Sequence, residues 1–136
     1  MSDVDWEINR PDVVEQVRAE FERYEAALTA HDAELLNRFF LDSAHVIRYG
    51  IGEHSRGIDA LRAYRRRAPP LPPGRRLQNT IVTTFGDSAA SVCTEFVHAD
   101  SPSIGRQSQM WIRTPQGWRI VAAHVSEVNH SILRRD

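Results

Sequence analysis

Tyr24 is a polar residue in a stretch whose pattern is otherwise that of an apolar core. It lies at helical spacing within a stripe formed by Val14, Val17, Phe21 and Leu28. Residues three and four apart share one helix face, and a buried tyrosine hydroxyl needs a hydrogen-bond partner. The phenol therefore either bonds a backbone carbonyl within the core or points into a cavity between helix and sheet. In a cavity it would be suited to donating a proton.

Arg48 interrupts Ser43–Tyr49, a run of residues that favours a β-strand. Strand alternation puts Ala44, Val46 and Arg48 on one face, and His45, Ile47 and Tyr49 on the other. A buried guanidinium needs an anion or several acceptors. Arg48 is therefore either one half of a structural ion pair, with an acid such as Glu53, or the group that grips a ligand carboxylate through paired hydrogen bonds.

The segment Gly105–Val128 predicts two strands joined by a tight turn at Thr114-Pro115-Gln116-Gly117. Pairing Thr114 with Gly117 puts Gln109 opposite Ala122 and Gln107 opposite His124. One face then carries Gln107, Gln109, Trp111, Trp118, Ile120, His124 and Ser126. The opposite face carries Ser108, Met110, Ile112, Val121, Ala123 and Val125.

Four polar residues on that first face, Gln107, Gln109, His124 and Ser126, are predicted to line a small pocket and orient a ligand. His124 is an alternative acid–base group, since its pKa suits neutral pH. A lone histidine on a strand is also a common core or interface residue. Cys93 is expected to be a buried, inert thiol, and neither it nor Ser108 has the signature of a nucleophile.

Other chemistries are not indicated by the sequence. Every basic side chain is arginine, which excludes Schiff-base lysines and lysine-dependent phosphate loops. The histidines at positions 45, 54 and 98 lack metal-ligand spacing, so we predict no metal and no cofactor. A net charge of −1 argues against general nucleic-acid or membrane binding. The single cysteine excludes an internal disulfide, and the acidic start is not a signal peptide, so we expect a cytoplasmic protein.

Helices precede strands along the chain. We predict helices from Asn9 or Arg10 to about Ala30, over Ala33–Phe40 with Asp32 as its cap, and over Ile58–Arg67. Arg65, Arg66 and Arg67 end the third helix, where cations suit the helix dipole, although they also could draw in an anionic substrate. After the proline-rich Ala68–Gly74, strands at Leu77–Phe85 and Ser88–His98 lead through a loop at Ala99–Ile104 into the hairpin.

This order predicts an α+β fold in which helices pack on one face of a strongly bent, mainly antiparallel sheet. The 136 residues are expected to form one domain, with a short N-terminal arm at residues 1–9 and a tail at residues 129–136. Trp6 and Ile8 are the residues of the arm that can pack against the domain.

Six segments together resemble the AtzH/HpxZ family of the nuclear-transport-factor-2-like (SnoaL-like) superfamily, over about Glu7 to Val128. They are EINRPDVVEQV, FERYEAAL, VIRYGIGE, TTFG, IGRQSQMW and GWRIVAAHVS. The resemblance implies a cone fold with three N-terminal helices, a homodimer, and a pocket between the first helix and the concave sheet.

The same resemblance implies an activity in the catabolism of cyanuric acid and oxalurate. Family members are described as decarboxylating amidohydrolases that convert 1,3-dicarboxyurea to allophanate, and the tyrosine and arginine they use correspond to Tyr24 and Arg48. The proline-rich connector and the loop Ala99–Ser103 depart from the family pattern, which leaves the substrate open. We therefore favour an enzyme that acts on a small anionic substrate.

Two alternatives remain at this point. In the first, the chain is a non-catalytic dicarboxylate-binding or accessory subunit that works beside a partner amidase, because a site that binds carboxylates would serve a binding protein as well as an enzyme. Alternatively, it is an isomerase or cyclase of the ketosteroid-isomerase type, since one fold hosts many chemistries. That function needs an Asp or Glu side chain that faces a large apolar cavity and acts as the general base. Glu53, Asp59 and Glu95 are instead expected to be exposed to solvent or paired with a cation.

Overall fold

One six-stranded, strongly curled sheet carries three helices on its concave face. The computed structural model describes residues 7–134, so the predicted packing of Trp6 lies outside the described residues. The elements are α1 Pro11–Thr29, α2 Ala33–Arg38, β1 Ile47–Tyr49, β2 His54–Arg56, α3 Ile58–Arg67, β3 Arg76–Phe85, β4 Ala89–Val97, β5 Ser103–Thr114, β6 Gly117–Asn129 and a 3-10 turn His130–Ile132. None of the helices described within residues 7–134 is long and apolar enough to cross a bilayer.

Helices α2 and α3 begin at the predicted residues, and α1 begins one residue after the predicted Arg10. Pro11 is in the first turn of α1, and the Asp32 side chain caps α2 by accepting from the Leu35 amide at 3.1 Å. The core face of α1 consists of Val13, Val17, Phe21, Tyr24 and Ala27, so the predicted Val14 and Leu28 are at the edge of the core.

Helix α2 is shorter than the predicted Ala33–Phe40, because the chain after Arg38 bonds to a strand. The Ile120 amide donates to the Phe39 carbonyl at 2.7 Å, and the Leu41 amide donates to the Ile120 carbonyl at 3.0 Å. Phe39 and Phe40 are buried as predicted, whereas Leu35, which was also expected inside, is exposed.

The strands are ordered β2-β1-β6-β5-β4-β3 across the sheet. The last four form the predicted antiparallel meander, and β1 runs parallel to β6. β1 is shorter than the predicted strand, but its faces are as expected, with Val46 and Arg48 buried and His45 and Ile47 exposed. β2 was not predicted. At the far edge, Ile8 of the predicted arm bridges to Phe85.

A β-bulge near the turn changes the predicted facing of β6. Trp111 pairs with Ile120 as expected, but Met110 then pairs with Ala122, so Val121 is the extra residue. An extra residue moves every later side chain of the strand to the opposite face. Gln109 therefore pairs with Ala123 rather than Ala122. The predicted register beyond Trp111 is wrong by one residue.

Gly105 gives the ring of Phe96 its place in the sheet. The two residues are paired on β5 and β4, and a Cβ added to Gly105 would lie 2.0 Å from the Phe96 Cζ. The ring therefore lies across bare glycine backbone. The guanidinium carbon of Arg75 lies 4.3 Å from the ring centroid, so this glycine also supports the residue that follows the proline-rich connector.

We predict that Gly105→Ala lowers the free energy of unfolding by about 1–3 kcal/mol, because the added methyl group must displace Phe96. Urea unfolding would measure the change. The matched control is Gly52→Ala, where an added Cβ has no atom within 4 Å. Equal stability of the two variants would contradict the role given to Gly105.

Candidate active site

A cavity of about 250 Å³ lies between α1, α3 and the concave face of the sheet. It is lined by the two predicted catalytic residues, Tyr24 and Arg48, and by the predicted Gln107. Six further polar residues that the sequence did not single out for the site also line it: His31, Tyr64, Arg65, Arg75, His98 and Glu127. The cavity is small and strongly polar on one side, which suits a small charged ligand.

Tyr24 is 2% exposed, and its ring packs edge-on against Phe39 and Phe40 at centroid distances of 5.7 and 6.4 Å. Its hydroxyl oxygen accepts a hydrogen bond from Arg65 Nη2 at 3.3 Å. The partner is thus a buried guanidinium rather than a backbone carbonyl. Because the oxygen accepts this bond, the hydroxyl hydrogen is free to be donated elsewhere.

Arg48 is buried and forms an ion pair with Glu53, whose second carboxylate oxygen accepts from the Ser55 hydroxyl. The Arg48 guanidinium also lies 5.3 Å from the centroid of the Tyr64 ring. Burial lowers the pKa of Arg48, while the adjacent Tyr24 opposes that shift. Arginine starts from so high a pKa that it stays protonated. The predicted structural ion pair is therefore present on the wall of the cavity.

Arg65 points inward, unlike the rest of the arginine run that ends α3. It is 6% exposed, whereas Arg66 and Arg67 are exposed. Ile58, Leu61 and Arg65 are separated by three and four residues, so they share the buried helix face. That spacing is the sequence signal that was missed, because the three arginines were interpreted together as a helix end.

Arg75 belongs to a closed polar cluster at another part of the wall. Its Nη2 donates to Glu25 Oε1 at 3.2 Å, and Gln107 Nε2 donates to Glu25 Oε2 at 3.0 Å. Arg75 Nη2 also lies 3.4 Å from Gln107 Oε1. Gln107 therefore lies at the cavity as predicted, but its amide is engaged with Glu25 and Arg75.

The other three predicted substrate-binding residues are not at the cavity. Gln109 is buried in the core, where its Oε1 accepts from Trp111 Nε1 at 3.1 Å. His124 and Ser126 lie on the convex face of the sheet, because the bulge at Val121 reverses their side. The placement of these residues in the pocket was wrong.

Cys93 is also placed differently from the prediction. It is exposed on the convex face, where it pairs with Ser108, while its neighbours Val92 and Thr94 point into the domain. Within residues 7–134, no group of three or more His, Cys, Asp or Glu side chains is arranged to hold a metal ion.

The buried charges around the cavity do not balance. Arg48 is paired with Glu53, and Arg75 is paired with Glu25. Arg65 has no carboxylate within ion-pair distance in the part of the chain from residue 7 to 134, and its Nε is buried without a hydrogen-bond partner there. Among the buried side chains of the wall, this leaves one positive charge without a partner, which favours an anionic ligand. The lining also includes the carboxylate of Glu127, which is exposed to solvent.

We predict that Glu53→Gln destabilises the protein by about 3–5 kcal/mol, because it leaves the buried Arg48 cation unpaired. Thermal or urea unfolding would measure the loss. Asp59→Asn is the control, since that exposed residue pairs only at the surface with Arg62. A loss no larger than that of the control would show that the Arg48–Glu53 pair is not a buried ion pair.

Known proteins match the chain along most of its length. The family model described as AtzH-like matches residues 6–131. A cystatin-like fold protein from Burkholderia xenovorans LB400 is 48% identical with a TM-score of 0.88, covering 91% of this chain and 98% of that one. A protein with unknown function from Pectobacterium atrosepticum SCRI1043 is 45% identical with a TM-score of 0.87, covering 90% and 95%. No curated protein matches.

A more distant neighbour identifies the fold alone. An NTF2-like protein of unknown function from Pseudomonas putida KT2440 shares 16% identity with a TM-score of 0.71, covering 86% of this chain and 87% of that one. The helices on a curled sheet are thus the cone fold of NTF2-like proteins. Because the family model spans nearly the whole sequence and two solved relatives share close to half of their residues with it, the chain belongs to the AtzH-like family.

Proposed function

We propose that the protein removes a carboxyl group from a small carboxylated urea such as 1,3-dicarboxyurea, giving allophanate. The observation that carries the proposal is the buried Tyr24 hydroxyl in a small cavity, where it is bonded to Arg65, a buried cation without a carboxylate partner among the described residues. Membership of the AtzH-like family supports the same conclusion, since the family resemblance assigns the chemistry to the positions of Tyr24 and Arg48.

The reaction asks little of a catalyst beyond anion binding and one proton. The bond between the nitrogen and the carboxyl carbon breaks, carbon dioxide leaves, and the electron pair stays on nitrogen. That nitrogen takes up one proton, so the dianion of dicarboxyurea becomes the monoanion of allophanate. No oxidant or reductant is consumed.

Tyr24 and Arg48 divide this work. The Tyr24 hydroxyl hydrogen, which is not needed for the bond with Arg65, is donated toward the leaving nitrogen. The Arg48 guanidinium holds a carboxylate by charge-assisted hydrogen bonds, while Glu53 fixes its orientation from the other side. Gln107 holds Arg75 and Glu25 in place and so shapes the wall.

The isomerase alternative finds less support in this cavity. A ketosteroid-isomerase-type reaction wants a carboxylate free to act as a base. The two buried acids beside the cavity, Glu25 and Glu53, are instead paired with arginines, and the acid in its lining, Glu127, is exposed to solvent. An accessory role beside a partner amidase needs only the anion clamp, and the assay below distinguishes it from catalysis.

We also propose that the protein is a homodimer formed through the convex face of the sheet. Ile81 and Met110 are 61% and 59% exposed, and both project from the face opposite the helices, as Ile47 does. Exposed apolar side chains gathered on one face are typical of an interaction surface.

We predict that Tyr24→Phe retains ligand binding but lowers turnover of freshly prepared 1,3-dicarboxyurea by about 100- to 10,000-fold, because the proton donor is lost. Carbon dioxide and allophanate release above the spontaneous background would measure it. Tyr49→Phe, on the convex side of the sheet, is the control and keeps full activity.

Two outcomes would overturn this assignment. Full activity of Tyr24→Phe would remove the phenol from the mechanism. Binding without turnover in the wild type would instead establish a dicarboxylate-binding subunit, and a partner amidase would then be sought.

We predict that Met110→Asp shifts the protein toward monomer, because a buried carboxylate would be unpaired in the interface. Sedimentation velocity would measure the shift. Ile132→Asp is the matched control, since that residue is exposed in the 3-10 turn outside the sheet. A wild-type protein that sediments as a monomer would contradict the dimer.

A further inference from the structure

The Arg65 guanidinium is the one buried cation at the cavity, within residues 7–134, that lacks a protein carboxylate. Its Nη2 donates a hydrogen bond to the Tyr24 hydroxyl oxygen, and its buried Nε has no hydrogen-bond partner among the described residues. Burying a guanidinium away from water costs free energy unless an anion is paired with it. The planar guanidinium of arginine matches the geometry of a carboxylate, so a carboxylate is a suitable anion. The arrangement is therefore incomplete without an anion.

Arg48 and Arg65 both lie close to the ring of Tyr64. Their guanidinium carbons lie 5.3 and 5.9 Å from the centroid of the Tyr64 ring. The two cations are close enough for Arg65 to lower the pKa of Arg48, in addition to the larger effect of burial. An anion that contacted both would relieve this repulsion.

Tyr24 connects the two guanidiniums to the proposed chemistry. Its oxygen is bonded to Arg65, and Tyr24 is also close enough to Arg48 to oppose the lowering of that group's pKa. A ligand that contacts both arginines would therefore also lie next to the Tyr24 hydroxyl. A short chain with a carboxylate at each end gives both guanidiniums a ligand carboxylate, whereas a monocarboxylate reaches only one of them.

We propose that Arg65 receives the second carboxylate of the ligand and makes the pocket selective for short dicarboxylates over monocarboxylates. The identity of the natural ligand rests on the proposed function, but the selectivity does not. Arg48 then binds one end of the molecule and Arg65 the other. Arg65 also fixes the Tyr24 oxygen, so it both binds and positions.

The test compares two stable probes that differ in one charge. Glutarate has the same number of atoms between its carboxylates as 1,3-dicarboxyurea, and glutaramate replaces one carboxylate with an amide. Isothermal titration calorimetry at fixed ionic strength would give both affinities. We expect the wild type to prefer glutarate by about 10- to 100-fold, the range for a charge-assisted bond to a buried cation.

Arg65→Gln is expected to lose this preference. Glutarate affinity falls by about the same factor, and the two probes then bind equally, because each has one carboxylate left for Arg48. Arg66→Gln is the matched control, since it removes the same charge from the exposed neighbouring position. It keeps both affinities.

Several results would overturn the proposal. These are a wild type that binds glutarate no better than glutaramate, or not at all at millimolar concentration, and an Arg65→Gln variant that keeps the preference. If Arg65→Gln does not fold, Arg65→Lys decides. A lysine cannot hold both Tyr24 and a carboxylate fork, so glutarate affinity should fall about tenfold, and an unchanged affinity would refute the assignment.

The outcome is separable from that of the proposed function. Neither probe is a carboxylated urea, so neither can undergo the proposed reaction. Charge-selective binding that depends on Arg65, in a protein that does not turn over 1,3-dicarboxyurea, would retain the selectivity and reject the enzyme. Turnover with no preference between the probes would do the reverse.

Discussion

The site depends on the shortage of carboxylates around three buried guanidiniums. Two ion pairs, Arg48 with Glu53 and Arg75 with Glu25, hold the walls of the cavity without leaving net charge. Arg65 is left with a phenol as its only described hydrogen-bond partner. Burial of a cation is tolerated when an anion is paired with it, and we propose that a ligand supplies that anion here. The charge balance thus connects the stability of the fold to its proposed chemistry.

Two local features of the backbone, a β-bulge and a glycine, determine where side chains around the cavity lie. The bulge at Val121 puts Ala123 rather than His124 on the concave side, which keeps the imidazole out of the cavity. Gly105 lets Phe96 lie flat, and Phe96 supports the Arg75 guanidinium. In both places a small change of backbone determines which side chains line the cavity.

Much of the fold could be predicted from local sequence signals. The boundaries of α3 are as predicted, and the turn at Thr114–Gly117 and the antiparallel meander follow from turn chemistry and alternation. Tyr24 and Arg48 were recognisable because each is a polar residue in an apolar pattern. Both line the cavity, although their catalytic roles stay predictions.

The rest depended on information that a local pattern does not contain. A bulge adds one residue without changing the composition of the strand, so alternation alone placed His124 and Ser126 on the wrong face. The cluster of Glu25, Arg75 and Gln107 joins three distant segments and has no sequence spacing. Arg65 was misjudged for a different reason, since its position on the apolar helix face was hidden by two more arginines that follow it.

The most direct test of the central claim is a crystal structure of the wild-type protein with glutarate. We predict one carboxylate within about 2.7–3.2 Å of the Arg65 guanidinium nitrogens, beside the Tyr24 hydroxyl, and the other carboxylate at Arg48. Glutarate bound elsewhere, or a cavity in which Arg65 faces a protein carboxylate and no ligand, would contradict it.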